Sequence, residues 1–269
     1  MRNDIPRTLV AAIKQKRAIL FAGAGLSSSL GLPLFDVLTS HLAKELGIGE
    51  SANIDFPLLA EYYFLQTSRR DELFEWMRRT WHPENVRIRD SGPHNHIVDL
   101  DFPVIYTTNY DSWIERSFQE RGKAFRKIVG VKDLAESKHE ETEIIKFHGD
   151  LDTPATIVLT ESDFLRRMSL DEPLDIRLRS DSLARPILFA GYSLSDPNIR
   201  YLLYRLRQLW SQYTDEDTKP SSYVLILEPN DIQERLLRER GVEPILFEEE
   251  SPSAGLTKFF NALKAAAET

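Results

Sequence analysis

Two polar residues of this sequence, Asn109 and His148, are of types that can do chemistry, and each stands just after a short apolar run. The neutral amide of Asn109 can orient a water molecule or a ribose hydroxyl without carrying charge. His148 could act as a general base, and Asp150 is near enough in sequence to bias its tautomer or charge. An isolated asparagine is also typical of a turn or helix cap, and an isolated histidine is usually structural.

A glycine-rich turn, Gly23-Ala24-Gly25, follows another apolar run and precedes a predicted helix. Its backbone can approach a diphosphate closely, while the helix N-terminus supplies N–H donors. The sequence therefore predicts a phosphate-binding turn. It departs from the standard dinucleotide fingerprint, because Ser28 replaces the third glycine, and small residues also serve tight packing of a strand against a helix.

A further polar segment, Gly191-Tyr192-Ser193, could present backbone and hydroxyl donors to a ribose or a phosphate. Asp196, before Pro197, is adequately explained as the cap of the next helix. His94 and His96 have no obvious third ligand, so we expect local hydrogen bonds rather than a metal site.

The elements that must position these residues are short runs rich in Val, Ile, Leu and Phe, separated by segments of helical period. Continuous rather than alternating hydrophobicity predicts strands of a parallel sheet covered on both faces. The expected fold is therefore α/β, a Rossmann-like sheet flanked by helices, with ligands bound beyond the carboxyl ends of the strands. The predicted strands are 18–22, 104–107, 143–147, 156–159, 187–190, 223–227 and 245–247.

The chain of 269 residues contains no cysteine and has a formal net charge of −8. The absence of cysteine excludes disulfides and thiolate metal clusters. The negative net charge disfavours broad nucleic-acid binding. No apolar run approaches the roughly 20 residues that span a bilayer, and no secretory signal is visible, so we expect a cytoplasmic protein without a membrane segment. The predicted organisation is a single domain, 1–269, with a helical insertion at about 40–100.

The order of four motifs is more specific than any one of them, and it resembles the SIR2-like family over roughly residues 15–250. The motifs are GAGLSSSLGLP at 23–33, TTNYD at 107–111, FHGD at 147–150 and GYSLSDPN at 191–198. The resemblance implies that NAD is bound, with Asn109 and Asp111 at the nicotinamide–ribose pocket and His148 as the catalytic histidine. The other NAD contacts that it implies are Gly23, Ala24, Gly25, Ser27, Gly191 and Ser193.

Two departures from the sirtuin pattern indicate which branch of the family this sequence resembles. The four-cysteine zinc module of protein-deacylating sirtuins is missing, so no zinc is expected, and Gly31-Leu32-Pro33-Leu34-Phe35-Asp36 lacks the arginine of the G-I-P-D-F-R segment. What remains resembles zinc-free bacterial members that destroy NAD during phage infection, often regulated by a partner such as an Argonaute-type protein or a HerA-type ATPase.

That likeness implies an NAD glycohydrolase that releases nicotinamide and ADP-ribose, with catalytic Asn109 and His148, and an oligomer of identical chains. A noncatalytic NAD or ADP-ribose sensor remains an alternative, as does a zinc-free deacylase or ADP-ribosyltransferase. A nuclease subunit ranks last, because no acidic two-metal cluster is visible and the net charge is unfavourable.

Overall fold

A computed structural model describes residues 4–49, 54–136, 141–192, 196–213, 221–228 and 230–269. Strands and helices alternate along most of this part of the chain. The strands are β1 (Ile19–Ala22), β2 (Val104–Thr107), β3 (Phe125–Ile128), β4 (Thr142–Lys146), β5 (Ile187–Ala190), β6 (Ser222–Ile226) and β7 (Val242–Leu246). The α-helices are α1 (Arg7–Lys14), α2 (Ala24–Ser28), α3 (Phe35–Glu45), α4 (Phe56–Thr67), α5 (Arg70–Trp81), α6 (Gly92–Leu100), α7 (Trp113–Glu120), α8 (Val131–Ala135), α9 (Glu161–Arg167), α10 (Pro173–Ala184), α11 (Pro197–Tyr213), α12 (Asp231–Glu239) and α13 (Pro252–Glu268).

The described strands form one sheet in the order β3-β4-β2-β1-β5-β6-β7, and neighbouring strands run parallel. The strand order reverses on the two sides of β1, which pairs with β2 and with β5. This topology confirms the predicted Rossmann-like α/β fold, and it places the switch point between β1 and β5.

Alternate residues of each strand enter two different cores, which is why the strands read as continuous apolar runs. On β1, Leu20 and Ala22 pack with α1, α6 and α13, whereas Ile19 and Phe21 pack with α10, α11 and α12. A third cluster holds α3, α4 and α5 together with Trp113. Both faces of the sheet are thereby covered.

One strand prediction is wrong, and one observed strand was not predicted. Residues 156–159 form no strand. The chain reverses at Gly149, whose φ is +89°, and Val158 then donates its N–H to the carbonyl of His148 at 2.9 Å. The edge strand β3 was missed, because its polar side chains are only half-buried and break the apolar pattern.

The helices before β2 contribute aromatic side chains to the third cluster, since Tyr63 of α4 and Phe74 of α5 are buried there. His94 contacts a local partner as expected, with Nδ1 2.7 Å from Oγ of Ser91. The expectation is wrong for His96, because its Nε2 contacts Asn261 of α13, which is distant in sequence. Across the described residues, no group of three or more metal-binding side chains occurs, and no helix combines the length and apolarity needed to cross a bilayer.

The fully buried imidazole of His94 predicts a pH-dependent stability. Burial lowers the pKa of His94 from 6.5 to about 4, so the unfolded chain binds the extra proton between these pH values and stability falls as pH falls through them. We expect this residue to remove on the order of 2 kcal/mol of stability between pH 7 and pH 5. Urea unfolding of wild type and His94→Gln at both pH values measures it, and an equal pH dependence in the two proteins would contradict it.

Candidate functional site

The register of the sheet brings Asn109 and His148 to the same edge. Thr107 of β2 lies opposite Lys146 of β4, and each of the two site residues stands two positions beyond its member of this pair. Paired strands are about 4.8 Å apart, so the two residues follow neighbouring strand ends. Both side chains are buried, with Asn109 6% and His148 5% exposed.

A directional hydrogen-bond chain fixes the amide of Asn109. Its Nδ2 donates to the carbonyl of Gly23 at 3.1 Å and to Oγ of Ser27 at 2.9 Å. Ser27 in turn donates to the carboxylate of Asp111 at 2.7 Å, and the N–H of Trp113 donates to the other Asp111 oxygen at 3.1 Å. Both amide protons are therefore used, and Oδ1 of Asn109 is left buried without a hydrogen-bond partner among the described residues. An unpaired buried acceptor of this kind is the group that a bound ligand would satisfy.

The glycine turn is held against the turn that follows β5. Gly23 donates its N–H to Ala190 at 3.0 Å, and Gly25 donates to the carbonyl of Gly191 at 2.8 Å. A Cβ atom on Gly23 would lie 2.5 Å from the Gly191 oxygen, and one on Gly191 would lie 2.5 Å from the nitrogen of Leu26. These glycines thus permit a close backbone contact, and two N–H groups that a phosphate could have used are already occupied.

The carboxylate of Asp196 faces His148. Nε2 of His148 lies 2.9 Å from Oδ2 of Asp196, which is ion-pair distance, and neither atom has a hydrogen-bond partner among the described residues. The expectation that Asp150 would bias His148 is not met by these contacts. Asp150 pairs with Lys127 at 3.3 Å and Lys146 at 3.5 Å, because the turn after β4 directs it toward these lysines.

The environment of Asp196 favours its ionised form. Burial alone would raise the pKa of Asp196, but the positive charge and contact of His148, together with the backbone N–H groups of Asn198 and Ile199, hold that pKa below its ordinary value. The same carboxylate begins α11, since its Oδ1 accepts from the N–H of Asn198 at 2.8 Å. Asp196 therefore serves both as a helix cap and as the carboxylate that faces His148.

Tyr192 connects the two halves of the site. A Cβ on Gly23 would lie 2.7 Å from the Cα of Tyr192, and the Tyr192 ring packs on Phe21 at a centroid distance of 5.0 Å. Burial, and after it the charge of Asp196, raises the pKa of Tyr192 well above its ordinary value, so its phenol stays neutral. The side-chain amide of Asn198 is buried and lacks a hydrogen-bond partner in the described parts of the chain.

Contacts thus run from Asn109 through Gly23 and Tyr192 to Asp196 and His148. Of the residues predicted from the sequence, the structure connects Asn109, Ser27 and Asp111 directly, and it packs Gly23 and Gly25 against Gly191. Ala24, which lies between Gly23 and Gly25 in sequence, is the first residue of the five-residue helix α2. Ser193 lies outside the described residues.

A buried lysine that sequence reasoning missed joins the loops after β2 and β4. Nζ of Lys146 donates to the carbonyl of Asp111 and lies 3.2 Å from Glu115 and 3.5 Å from Asp150. Burial alone would lower the pKa of Lys146, but these carboxylates raise it, so the ammonium stays charged. The signal in the sequence was a single charge inside the apolar run 144–147.

A cavity of about 750 Å³ lies beside the site rather than within it. Phe147 and Gly149, the neighbours of His148, line it together with residues of α5, α9 and α10. Its charged lining is mixed, since Arg70 and Arg166 are accompanied by Asp71 and acidic residues of the 163–172 segment. Neither Asn109 nor His148 contributes to the lining.

The parallel sheet with a polar cluster at its switch point defines the Rossmann-like class, whose ligands bind at this edge. The chain belongs to the SIR2-like domain family, because the model of that family matches residues 103–245, more than half of the chain. This confirms the family that the four motifs indicated.

Named relatives agree with this membership. The NAD(+) hydrolase ThsA of Bacillus cereus (strain MSX-D12) is 30% identical over 207 residues, which cover 74% of this chain and 42% of that protein. The defense-associated sirtuin 2 of Bacillus subtilis is 30% identical over 148 residues, 54% of this chain and 14% of that protein. The chain therefore spans less than half the length of these curated relatives. A crystal structure of a Sir2 homologue–NAD complex shares the fold, with a TM-score of 0.50, 13% identity and coverage of 99% and 96% of the two chains.

The glycine contact gives a prediction for Gly191→Ala. Both Gly191 and Gly31 have positive φ, but a Cβ meets the backbone of Leu26 at the first position and nothing within 4 Å at the second. Gly31→Ala should cost about 1–2 kcal/mol of stability, and Gly191→Ala a further ~1–3 kcal/mol. Urea unfolding compares the two variants, and equal losses would show that the close contact contributes nothing.

The buried lysine gives a second prediction. Lys146→Met leaves Glu115 without its nearest cation inside the protein, so we expect a loss of about 3–5 kcal/mol at pH 7. Lys258→Met removes a lysine that is 50% exposed and pairs with Glu249 outside this network, so it should cost less than about 1 kcal/mol. Chemical unfolding of both variants checks the difference, and similar small losses would mean that the buried network does not need its central charge.

Proposed function

We propose that the chain hydrolyses NAD to nicotinamide and ADP-ribose, with NAD as its substrate. The observation that carries this proposal is that Asn109 is oriented, has an amide oxygen without a partner in the described parts of the chain, and follows the strand next to that of His148. The names of the ThsA relatives, NAD(+) hydrolases, support the same activity.

The chemistry suits these residue types. The bond between ribose and nicotinamide has a cationic leaving group, so its electrons pass to the nicotinamide ring without an acid to protonate it. Water then forms the new bond to the anomeric carbon, and the proton that it loses passes to His148. The free oxygen of Asn109 can accept from that water or from a ribose hydroxyl.

Base catalysis is worth about 10²–10⁴ in rate, so most of the acceleration must come from positioning and electrostatics. Asp111 and Ser27 supply positioning by holding the Asn109 amide. We assign the remaining NAD contacts to the turns after β1 and β5, at Gly23, Ala24, Gly25, Gly191 and Ser193.

The proposed setting is antiphage defence, in which depletion of NAD halts the infected cell. The name of the Bacillus subtilis relative, a defense-associated sirtuin, supports this setting. We further propose a cytoplasmic oligomer of identical chains whose activity a partner, such as a HerA-type ATPase or an Argonaute-type protein, controls.

Incubation of purified protein with NAD tests the reaction, with nicotinamide, ADP-ribose and cyclic ADP-ribose separated by chromatography. Wild type should release nicotinamide and ADP-ribose, while Asn109→Ala and His148→Ala should fold and lose at least ~10²-fold in rate. Asn95→Ala and His96→Ala are matched controls on α6 and should retain activity. Normal turnover in folded Asn109→Ala would refute its role, and a cyclic product would revise the reaction.

A second candidate is a zinc-free NAD-dependent deacylase or ADP-ribosyltransferase, which removes an acyl group from a peptide or adds ADP-ribose to one. The observation that favours it is the cavity beside Phe147 and Gly149, which has room for an acceptor next to His148. NAD consumption that requires an added peptide or protein acceptor and leaves it modified would select this function. Tight NAD binding with no product would select the sensor instead.

A further inference from the structure

The contact between His148 and Asp196 joins two buried side chains from distant parts of the chain. The histidine side chain is 6% exposed and the carboxylate 8% exposed, and 2.9 Å separates Nε2 from Oδ2. Asp196 uses its other oxygen, Oδ1, to accept from the N–H of Asn198 at 2.8 Å. The two oxygens therefore have separable roles, one at the start of α11 and one at the imidazole.

The chemistry of this contact determines which imidazole nitrogen carries a proton. An ionised carboxylate can only accept, so an unprotonated Nε2 at 2.9 Å would set a lone pair against a negative oxygen. The contact does not reach hydrogen-bond geometry, but at 2.9 Å its electrostatic energy is favourable only if Nε2 bears hydrogen. In the neutral ring the lone pair must then be on Nδ1.

The other charged and polar groups around His148 do not compete with Asp196 for the ring. On α9, Arg167 stacks over Phe147 at 4.0 Å and donates to the Phe147 carbonyl. Arg167 also binds Asp175 of α10, with Nε 3.1 Å from Oδ2, so that carboxylate is already paired. Tyr192, after β5, has a neutral phenol because burial raises its pKa.

We propose that Asp196 is a positioning residue for His148: its carboxylate holds the ring and keeps a proton on Nε2, so that Nδ1 accepts the proton released in the reaction. The negative charge also stabilises the imidazolium formed when His148 takes up that proton. This inference rests on NAD hydrolysis as the proposed function, whereas the state of the ring in the resting protein does not.

Asp196→Asn separates the capping role from the positioning role. Asparagine is as good a helix cap as aspartate, so its oxygen can still accept from Asn198. Its NH₂ group then faces His148 and donates, which favours the tautomer with the lone pair on Nε2. Ser251→Ala is the matched control for cap loss, because Ser251 caps α13 just before Pro252 and accepts from the N–H of Ala254 at 3.2 Å.

Nitrogen-15 NMR of the histidine side chains in the resting protein is the first measurement. The His148 signals should show hydrogen on Nε2 in wild type and a changed pattern in Asp196→Asn, while the signals of His94 stay in place. The same His148 pattern in both proteins, or hydrogen on Nδ1 in wild type, would overturn the inference. This readout needs no turnover, so it stands apart from failure of the proposed function.

The kinetic arm measures NAD cleavage as a function of pH. Asp196→Asn should lower kcat by about 10²-fold or more and change KM by less than about threefold, since the lost interaction matters when the proton moves. The acid side of its pH–rate profile should also shift relative to wild type. Ser251→Ala should keep the wild-type kcat and profile. If Asp196→Asn also keeps the wild-type kcat and pH–rate profile, Asp196 acts only as a helix cap and the inference is wrong.

Discussion

The backbone contact between the turn after β1 and the turn after β5 is the constraint on which the rest of the site depends. Gly25 donates to the carbonyl of Gly191, and neither Gly23 nor Gly191 has room for a Cβ atom. Because the two turns touch, the carbonyl of Gly23 is placed to accept from Asn109. On the opposite side, Tyr192 is placed between Gly23 and Asp196. A side chain at either glycine would separate the two halves of the site.

Charge is distributed around this contact in buried, local pairs. Lys146 is surrounded by Glu115, Asp150 and the Asp111 carbonyl, and Asp196 faces His148. An isolated charge at such burial would be costly, whereas a paired one is tolerated and holds its neighbours in place. Neutral groups left without hydrogen-bond partners in the described residues include Oδ1 of Asn109, the amide of Asn198 and the hydroxyl of Tyr192. In this SIR2-like site the charged side chains therefore hold one another in place, whereas the neutral polar atoms remain available to bind a ligand.

Much of the fold could be read from the sequence, and the exceptions have physical causes. Central parallel strands are buried on both faces, so their apolar runs stand out, and the predicted runs match six of the seven strands in the described part of the chain. The edge strand β3 exposes one side to water and carries Arg126 and Lys127, so its sequence lacks the continuous apolar run that identifies the central strands. Residues 156–159 are as apolar as a strand but pack into the helical cluster, where Ile157 and Leu159 are buried.

By itself, the sequence determined the fold class, the family and the positions of Asn109, His148 and the glycine turns, because these depend on local pattern and on the order of motifs along the chain. Only the tertiary structure decided which charge each polar group meets. Asp150 is two residues from His148 yet pairs with lysines, while Asp196 is far away in sequence and lies against the imidazole. The reason is geometric, since strand register and turn direction place side chains in space, and neither is set by distance along the chain.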